Sequence, residues 1–328
     1  MAGVEQKIVQ DSEDGLRLDR WFAIHFPGLT HGRLQKLLRT GQVRVDGGRV
    51  KAKDRLQSGQ NVRIPPLQVS ARKRDSHIRL SEEDSAFVKS LVIYRDQRLI
   101  VLNKPSGLAV QGGTKTTRHL DGLLDGLRFE AEERPRLVHR LDRDTSGVLL
   151  LARSRHDAAW IGQALRQSRI QKVYWALISG VPRVEQATIN MPLIKKGRIG
   201  SERVVAAGPD DKDAQNAKTH YMVVDKAAPR WSWVALMPVT GRTHQLRVHL
   251  SEIGHSIVGD LKYGDQSPED DGLPNKLHLH ARSLSFKHPD KGWVKFDAGL
   301  PDHMQSSWEI LGFDGFAEDP QFPDELVR

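Results

Sequence analysis

The sequence has no cysteine among its 328 residues. That absence excludes disulfide bonds, zinc sites built on cysteine and catalysis by a thiol. No apolar run approaches the roughly 18 residues that a membrane-spanning helix needs. The first residues, Met-Ala-Gly-Val-Glu-Gln-Lys, lack the apolar centre of a secretory signal. We therefore expect a protein of the cytoplasm, which is a reducing compartment.

Positive charge is in excess, and it is concentrated near one end of the chain. The net charge is +9, yet residues 15–63 hold eleven lysines and arginines against three aspartates. A compact basic segment of this kind is typical of a nucleic-acid-binding module. At this length we expect about two domains, the first of them basic.

The basic segment carries a recognisable pattern of helices and turns. Apolar residues from Leu18 onward predict one short helix, and Thr30 can cap a second helix with its cations on one face. An Asp46-Gly47 turn then predicts a hairpin. The segment resembles an S4 domain, a small RNA-binding αα-hairpin with β-turns. The resemblance implies an RNA contact face at Arg33, Lys36, Arg39 and Arg44.

The rest of the chain is dominated by predicted strands with few long helices. This pattern favours a mixed, mainly antiparallel sheet with flanking helices, and thus an α+β protein. The predicted organisation is a sequence of five parts: a flexible leader at 1–14, the S4 domain at 15–65, a flexible basic linker at 66–90, a second domain at 91–313, and an acidic, poorly ordered tail at 314–328. Within the second domain, residues 195–216 are polar and charged, which indicates an exposed insertion or a long hairpin.

One stretch stands out in the second domain. His-Arg-Leu-Asp-Arg-Asp-Thr-Ser-Gly, residues 139–147, directly precedes an apolar run that is typical of a buried strand. Within it Asp142 lies between Arg140 and Arg143, and nearby cations favour an ionised carboxylate. Such a carboxylate suits a nucleophile or a charge stabiliser. An ordinary salt-bridged turn would use the same residue types.

The histidines allow three interpretations. Two closely spaced pairs could ligate a metal ion: His244 with His249, and His278 with His280. No carboxylate stands at the spacing of a HExxH helix, which argues against that use. His139 and Asp142 could act as an acid–base pair. We prefer the third interpretation, in which the histidines are structural or contact RNA.

Five motifs follow one another along the second domain: NKPSGLAV, HRLDRDTSG, KVYWAL, GRTHQLRVH and GHSIVGD. In this order and spacing they resemble the RluA family of pseudouridine synthases, over roughly residues 15–300. The resemblance implies an enzyme that isomerises uridines of large-subunit (23S) ribosomal RNA in ribosome biogenesis. Because the substrate and product of such a reaction are isomers, we expect no metal or other cofactor, and nothing in the sequence demands more than a monomer.

The resemblance also implies roles for individual residues. Asp142 would be the catalytic aspartate, and Arg140 would fill the gap that the flipped uridine leaves in the RNA. Tyr174 would stack on the flipped base and assist proton transfer at C5. Arg247 would pair with Asp142 and keep it ionised. The apolar wall of the pocket would be formed by Leu246 and Leu279.

Two other functions remain open from the sequence. A non-catalytic S4-type factor for rRNA binding or ribosome assembly would need the basic segment alone. A nucleoside or glycoside hydrolase could use Asp142 as nucleophile, with Asp144 as the nearby candidate for the acid/base. Within the synthase interpretation, the carboxylate could form a covalent bond to C1′, stabilise positive charge on the sugar, or remove the C2′ proton on a glycal route.

Overall fold

The computed structural model describes residues 3–26, 28–67, 80–112, 118–197, 202–264 and 268–323. The chain divides into two compact units, residues 1–79 and 80–328. Within the described ranges, no helix combines the length and apolar character that a membrane crossing requires.

The first unit, unit 1, contains two short helices and a three-stranded antiparallel sheet of order β1-β3-β2. Its elements are β1 (Glu5–Ile8), α1 (Leu18–His25), α2 (His31–Arg39), β2 (Arg44–Val45) and β3 (Asn61–Ile64). The predicted cap of α2 is confirmed, since the Thr30 hydroxyl accepts a hydrogen bond from the Arg33 amide at 3.4 Å. The predicted turn is also confirmed, because Asp46 and Gly47 both adopt positive φ angles, as a tight hairpin turn requires.

The prediction of a flexible leader at 1–14 is wrong for the residues that the structure describes. β1 pairs with β3 in the register Glu5 with Ile64, and Val9 is buried in the core of unit 1. The Glu13 carboxylate accepts a hydrogen bond from the Trp21 indole at 2.9 Å. Backbone pairing and this anchor order a segment whose polar composition indicated a loose end.

The second unit, unit 2, is built on one large sheet. Its first elements are α3 (Glu82–Ser90), β4 (Val92–Arg95), β5 (Leu99–Lys104), α4 (Leu120–Leu123), β6 (Arg136–Leu137), β7 (Ser146–Ala152), α5 (Arg155–Arg166), β8 (Ile170–Ser179) and β9 (Gln186–Asn190). The remaining elements are β10 (Leu193–Lys196), β11 (Arg203–Ala206), β12 (Lys218–Ala227), β13 (Trp231–Pro238), α6 (Gln245–Glu252), β14 (Leu279–His288), β15 (Gly292–Asp297) and α7 (Asp302–Leu311).

The strand order of the large sheet is β4-β5-β7-β14-β8-β13-β12-β9, with β15 added beside β14 and β6 beside β7. Neighbouring strands are antiparallel except β7 and β14, which are parallel where Ser146 and Gly147 pair with His280 and Ala281. Every residue of β7 is buried, as its apolar run predicts. The predicted α+β class with a mixed, mainly antiparallel sheet is confirmed.

Gly147 is required at the parallel junction. Its φ is +108°, and a Cβ there would lie 2.2 Å from the carbonyl oxygen of Ala281. Any side chain would therefore force β7 away from β14. This close approach fixes the start of β7, and with it the loop that precedes the strand.

The structure corrects the linker and the tail. The predicted flexible linker spans residues 66–90. Its residues 68–79 lie outside the described residues. In the described part, Glu82–Ser90 is a helix capped by Ser81, with Val88 fully buried, so the prediction is wrong there. In the tail, Phe322 is buried, and the Asp319 carboxylate accepts a hydrogen bond from the Trp175 indole at 3.0 Å. The predicted poor order is thus wrong for residues 314–323, because these contacts attach the segment to the core.

The polar stretch 195–216, predicted to be an exposed insertion or a long hairpin, contains part of a two-stranded hairpin. β10 and β11 pair antiparallel, with Leu193 opposite Ala206. Leu193 and Val204 form a small buried cluster with Val248 of α6 and with Tyr263. The hairpin therefore packs against α6 as well as facing solvent.

Candidate active site

Unit 2 contains a cavity of about 370 Å³ lined by all of the residues that the sequence predicts for this unit. These residues come from four separate segments of the chain: Arg140, Asp142, Tyr174, Leu246, Arg247 and Leu279. Leu246 and Leu279 are buried, Tyr174 is half-buried and Arg140 is exposed at the rim. A concave site with apolar walls and a few convergent polar groups is the usual form of a binding site.

The Asp142 loop is held by the chain segment that follows β5. The buried Lys104 ammonium donates hydrogen bonds to the carbonyls of Pro105, Leu108 and Arg143 at 2.8–2.9 Å. The Ser106 hydroxyl donates to the Asp144 carbonyl at 2.8 Å. These bonds satisfy carbonyls on both segments, so they fix the backbone directly after Asp142.

The arginines that flank Asp142 in the sequence do not pair with it. Arg143 pairs with Asp144 at 3.2 Å, and Arg140 donates to the Thr243 hydroxyl at 3.2 Å. Neither of these neighbours forms an ion pair with Asp142, because their side chains bind other partners. The cation nearest to Asp142 in the ion pairs of the described chain is Arg247, whose Nη1 lies 3.9 Å from Oδ2 of Asp142.

Arg247 itself is held by a carboxylate that the sequence interpretation did not assign a role. Asp260 receives two hydrogen bonds from the guanidinium, at 2.7 and 2.6 Å. The amides of Lys262 and Tyr263 donate to the same carboxylate. Both charged residues are buried, and such a pair is stable only when further hydrogen bonds satisfy it, as they do here.

This pairing changes the role expected for Arg247. Burial by itself raises the pKa of Asp260, but the Arg247 guanidinium outweighs burial and holds that pKa below its usual range. Burial lowers the pKa of Arg247, and its bond to Asp260 reverses that effect. Arg247 is thus a permanent cation whose direct ion pair is Asp260, with Asp142 at a longer distance. The signal in the sequence was the aspartate of the GHSIVGD motif.

A close backbone approach positions Asp260. The preceding residue, Gly259, has a φ of +72°, and a Cβ there would lie 1.9 Å from the Lys276 carbonyl oxygen. Only glycine fits so close to another backbone segment. The loop that carries Asp260 is therefore pressed against residue 276.

The helix that carries Arg247 is anchored by buried polar side chains. Gln245 accepts hydrogen bonds from the Thr240 hydroxyl and the Arg242 amide, and it donates to the Lys218 carbonyl and the Thr219 hydroxyl. One turn later, His249 contacts the Thr219 hydroxyl at 2.9 Å and the Met191 carbonyl at 3.0 Å. These bonds tie α6 to β12, so the guanidinium is held on a rigid element.

Two residues of β8 face the cavity, Lys172 and Tyr174. They are two positions apart, so their side chains lie on the same face of the strand. Burial raises the pKa of Tyr174 above its usual value, and the charge of Asp142 adds to this effect. The phenol is therefore protonated in neutral solution. Burial lowers the pKa of Lys172, a residue that the sequence interpretation treated only as part of a strand motif.

The histidines have structural partners. His139 Nε2 accepts a hydrogen bond from the Leu150 amide at 2.9 Å, and burial lowers its pKa to about 3. Burial likewise lowers the pKa of His278 and of His280 to about 4. His280 bridges the Ser146 hydroxyl and the Ala298 carbonyl. A neutral His139 whose Nε2 binds a backbone amide is not placed to exchange a proton with Asp142.

His244 lies beside the Asp142 carboxylate. Its Nε2 lies 3.9 Å from Oδ2 of Asp142, and its Nδ1 contacts the Tyr263 hydroxyl at 2.8 Å. Burial lowers its pKa, against the opposing charge of Asp142. Within the described ranges, no group of three or more histidines and carboxylates is arranged to hold a metal ion.

The remaining predicted residues lie in unit 1. Arg33, Lys36 and Arg39 are exposed on α2, as their spacing indicates. Arg44 is half-buried, and its guanidinium donates to the carbonyls of Gly41 and Gly47. Part of its hydrogen-bonding capacity is therefore used to hold the hairpin turn.

A loop aspartate, a buried cation and a protonated phenol in one cleft match the site that the RluA resemblance implies. The family model described as RNA pseudouridylate synthase matches residues 98–252, which include Asp142, Tyr174 and Arg247. The chain belongs to this family of enzymes. The alternative of a non-catalytic RNA-binding factor is accordingly not favoured.

Among curated proteins, the chain is similar to ribosomal large subunit pseudouridine synthase C from several bacteria. The protein of that name from Haemophilus influenzae is 36% identical over 315 residues, which cover 94% of this chain and 96% of the relative. The Escherichia coli protein is 37% identical over 306 residues, covering 89% and 93% of the two chains. The matches span nearly the full length of both relatives.

A solved structure has a similar fold. Human RNA pseudouridylate synthase domain containing 4 superposes with a TM-score of 0.60 at 28% identity. The match covers 70% of this chain and 97% of the human chain.

Proposed function

We propose that this enzyme isomerises uridines of large-subunit ribosomal RNA to pseudouridine, with Asp142 as the reactive group. The observation that carries the proposal is the placement of the Asp142 carboxylate in the cavity, 3.9 Å from the buried Arg247 and beside Tyr174. The names of the bacterial relatives support the choice of RNA. Since ribosomes are assembled in the cytoplasm, we place the enzyme there.

The reaction needs a carboxylate at the sugar and an aromatic group at the base. The bond between N1 and C1′ is broken, the uracil turns, and C5 forms the new bond to C1′. C5 then loses its hydrogen as a proton, and N1 gains a proton. Substrate and product are isomers, so no energy source is required. Asp142 acts at the sugar, and Arg247 stabilises its negative charge from one side of the cleft.

The target uridine must leave the RNA stack to reach Asp142, which is recessed in the cavity. In the proposed complex, Tyr174 stacks on the flipped base and Arg140, at the rim, fills the gap in the RNA. Since the Tyr174 phenol is protonated, its oxygen accepts the C5 proton only as its own O–H proton passes to solvent. Leu246 and Leu279 form the apolar wall against the base.

Lys172 supplies a second cation on the same face of β8 as Tyr174. None of the ion pairs of the described chain includes it, although burial of an ammonium group is costly without a partner. We therefore propose that Lys172 binds a phosphate of the flipped nucleotide, which is an anion that the substrate supplies. Arg33, Lys36, Arg39 and Arg44 of unit 1, in an S4-type domain, bind further phosphates of the RNA. The proposed active form is a monomer.

The test is the substitution Asp142→Asn with release of tritium from C5-labelled uridine in rRNA transcripts as the readout. We expect turnover to fall to the background of the assay, because the amide cannot act as a nucleophile or a base. The matched control is Asp144→Asn, which removes one carboxylate from the same loop. Asp144 pairs with Arg143 outside the cavity lining, so we expect this variant to retain activity.

Three outcomes would contradict the proposal. Substantial turnover by the Asp142→Asn variant would exclude Asp142 as the reactive group. Release of free uracil would indicate a hydrolase instead. A deletion strain with every rRNA pseudouridine present and a defect only in ribosome assembly would favour a binding factor.

A further inference from the structure

A second, larger concavity lies between α5 and the β14–β15 hairpin, with a volume of about 1180 Å³. We call it the α5 groove and define it by Trp160, Arg166, Arg169, Lys287 and Trp293. None of these residues lines the catalytic cavity. The roles derived above leave this surface unexplained.

Three cations line the α5 groove without a carboxylate partner. Arg166, Arg169 and Lys287 are exposed, and no ion pair or side-chain hydrogen bond joins them to other described residues. The acidic residue in the lining, Asp157, is already neutralised by Arg98 at 3.2 Å. The groove therefore carries an excess of positive charge that an anionic ligand would complement.

Aromatic surface accompanies this charge. Trp293 on β15 is 73% exposed, which is a large exposed fraction for the largest apolar side chain. Trp160 of α5 is half-buried and packs on Phe286 with the ring centres 5.9 Å apart. Grooves that bind single-stranded nucleic acid combine cations for the phosphates with aromatic rings for the bases.

The α5 groove borders the catalytic cavity. The turn between α5 and β8 contains Ser168, whose hydroxyl donates to the Val239 carbonyl at 3.4 Å. Thr240, which follows Val239, lines the catalytic cavity. Arg169, which follows Ser168, lines the groove. An RNA strand that leaves the cavity past residues 239–240 therefore reaches the groove cations directly.

We propose that the α5 groove binds a single-stranded RNA segment that is continuous with the target uridine. The cations contact its phosphates and Trp293 stacks on one base. This inference rests on the proposed function, because the RNA substrate of that function supplies the single-stranded segment. It assigns the enzyme an RNA footprint outside both the catalytic cavity and the S4-type face.

The first test neutralises the groove cations together, as Arg166→Gln/Arg169→Gln/Lys287→Gln in the full-length protein. Each phosphate contact to single-stranded RNA contributes about 0.7 to the salt slope of binding, so we expect the slope to fall by roughly 2. We expect KM for an rRNA fragment to rise on the order of tenfold, with kcat unchanged because the groove does not touch the reacting atoms.

The matched control removes the same charge elsewhere on unit 2, as Lys89→Gln/Arg183→Gln/Lys212→Gln. These three residues are exposed and line neither the groove nor the catalytic cavity. We expect a smaller loss of affinity and an almost unchanged salt slope, since a distant charge acts only through the screened overall field. Equal losses in the two triple variants would overturn the proposal, because they would show a general charge effect.

The second test addresses stacking, with Trp293→Ala and Trp293→Phe. Stacking on one base is worth enough for a loss of affinity on the order of tenfold with alanine. We expect phenylalanine to restore most of it, which a purely structural role of an exposed side chain would not require. Wild-type affinity in both the alanine and the triple groove variant would overturn the proposal, because neither the stacking nor the cations would then contribute to RNA binding.

The two proposals fail in different ways. If the wild-type enzyme forms no pseudouridine in rRNA, the proposed function is wrong. If it does so and the groove variants keep their KM and salt slope, only the groove assignment is wrong.

Discussion

The two units of this protein use positive charge in opposite ways. In unit 1, Lys36 and Arg39 are exposed along α2. In unit 2, Arg247 is 8% exposed and is locked to Asp260 by two short hydrogen bonds. Exposed cations attract a polyanion from a distance and are screened by salt, whereas a buried cation acts at one fixed point. In the proposed function, the exposed cations of unit 1 therefore serve RNA binding, and the buried cation of unit 2 serves the chemistry.

The largest effect is expected from breaking the buried pair with Asp260→Asn. Loss of the carboxylate leaves Arg247 charged and buried, which typically costs about 3–5 kcal/mol of stability. We expect a lower midpoint in urea unfolding together with a loss of turnover, as the guanidinium leaves its position near Asp142. The exposed pair of Lys226 with Glu185 is the control, and Glu185→Gln should leave both measurements unchanged.

Buried neutral histidines of unit 2 predict a pH dependence of stability. The pKa of His280 is about 4 in the folded protein, below its unfolded value near 6.5. Between these pH values the unfolded chain binds more protons, so the free energy of unfolding falls as the pH drops from about 6.5 to 4. The loss is at most about 3 kcal/mol for this residue.

Urea titrations at pH 7 and pH 4.5 measure this effect. In His280→Gln the side chain no longer titrates, so the difference between the two pH values should shrink. An equal difference in the variant and the wild type would contradict the assignment of His280 as a buried neutral group.

Tyr174→Phe separates stacking from proton transfer in the cavity. Positioned proton transfer typically contributes about 10²–10⁴ to a rate, so we expect kcat to fall by at least about a hundredfold. KM should change little, because the phenylalanine ring can still stack. Single-turnover assays with rRNA transcripts check this, and unchanged kcat would reduce Tyr174 to a stacking role.

The smallest effect is expected from the exposed cations of unit 1. The variant Lys36→Gln/Arg39→Gln should lower the salt slope of RNA binding by roughly 1–2 and raise KM a few fold. Since neither side chain is buried, kcat and the unfolding midpoint should stay at their wild-type values. A loss of kcat in this variant would contradict the prediction that these two cations serve RNA binding alone.

The main chemical groups could be predicted from the sequence because they lie in compact motifs. Asp142, Tyr174 and Arg247 line one cavity as expected, and the fold class follows from the pattern of strands. The direct partners could not be predicted in the same way. Arg143 follows Asp142 in sequence yet pairs with Asp144, and the partner of Arg247 is Asp260, across a turn after α6. The direction of the Arg143 side chain and the meeting of α6 with the Asp260 loop both depend on the folded backbone, which local sequence patterns do not describe.

Errors at the edges of the two units have a similar origin. Glu5–Ile8 is a short polar segment with no strand-like run of apolar residues, and its pairing with β3 supplies the order. Residues 314–323 are rich in acidic residues, but Asp319 and Phe322 meet partners in a distant part of the core. Composition predicts the order of an isolated segment. Both of these segments are ordered by contacts with residues that are distant in the sequence.

The parallel contact between β7 and β14 has a consequence for how the enzyme is assembled. In the described sheet, β4, β5, β6 and β7 lie on one side of this seam, and all later strands of the sheet lie on the other. Asp142 belongs to the first half of unit 2, whereas Tyr174, Arg247 and Asp260 belong to the second. Neither half contains all four of these residues, so the proposed site forms only when the two halves meet, at this seam and at contacts such as Arg98 with Asp290.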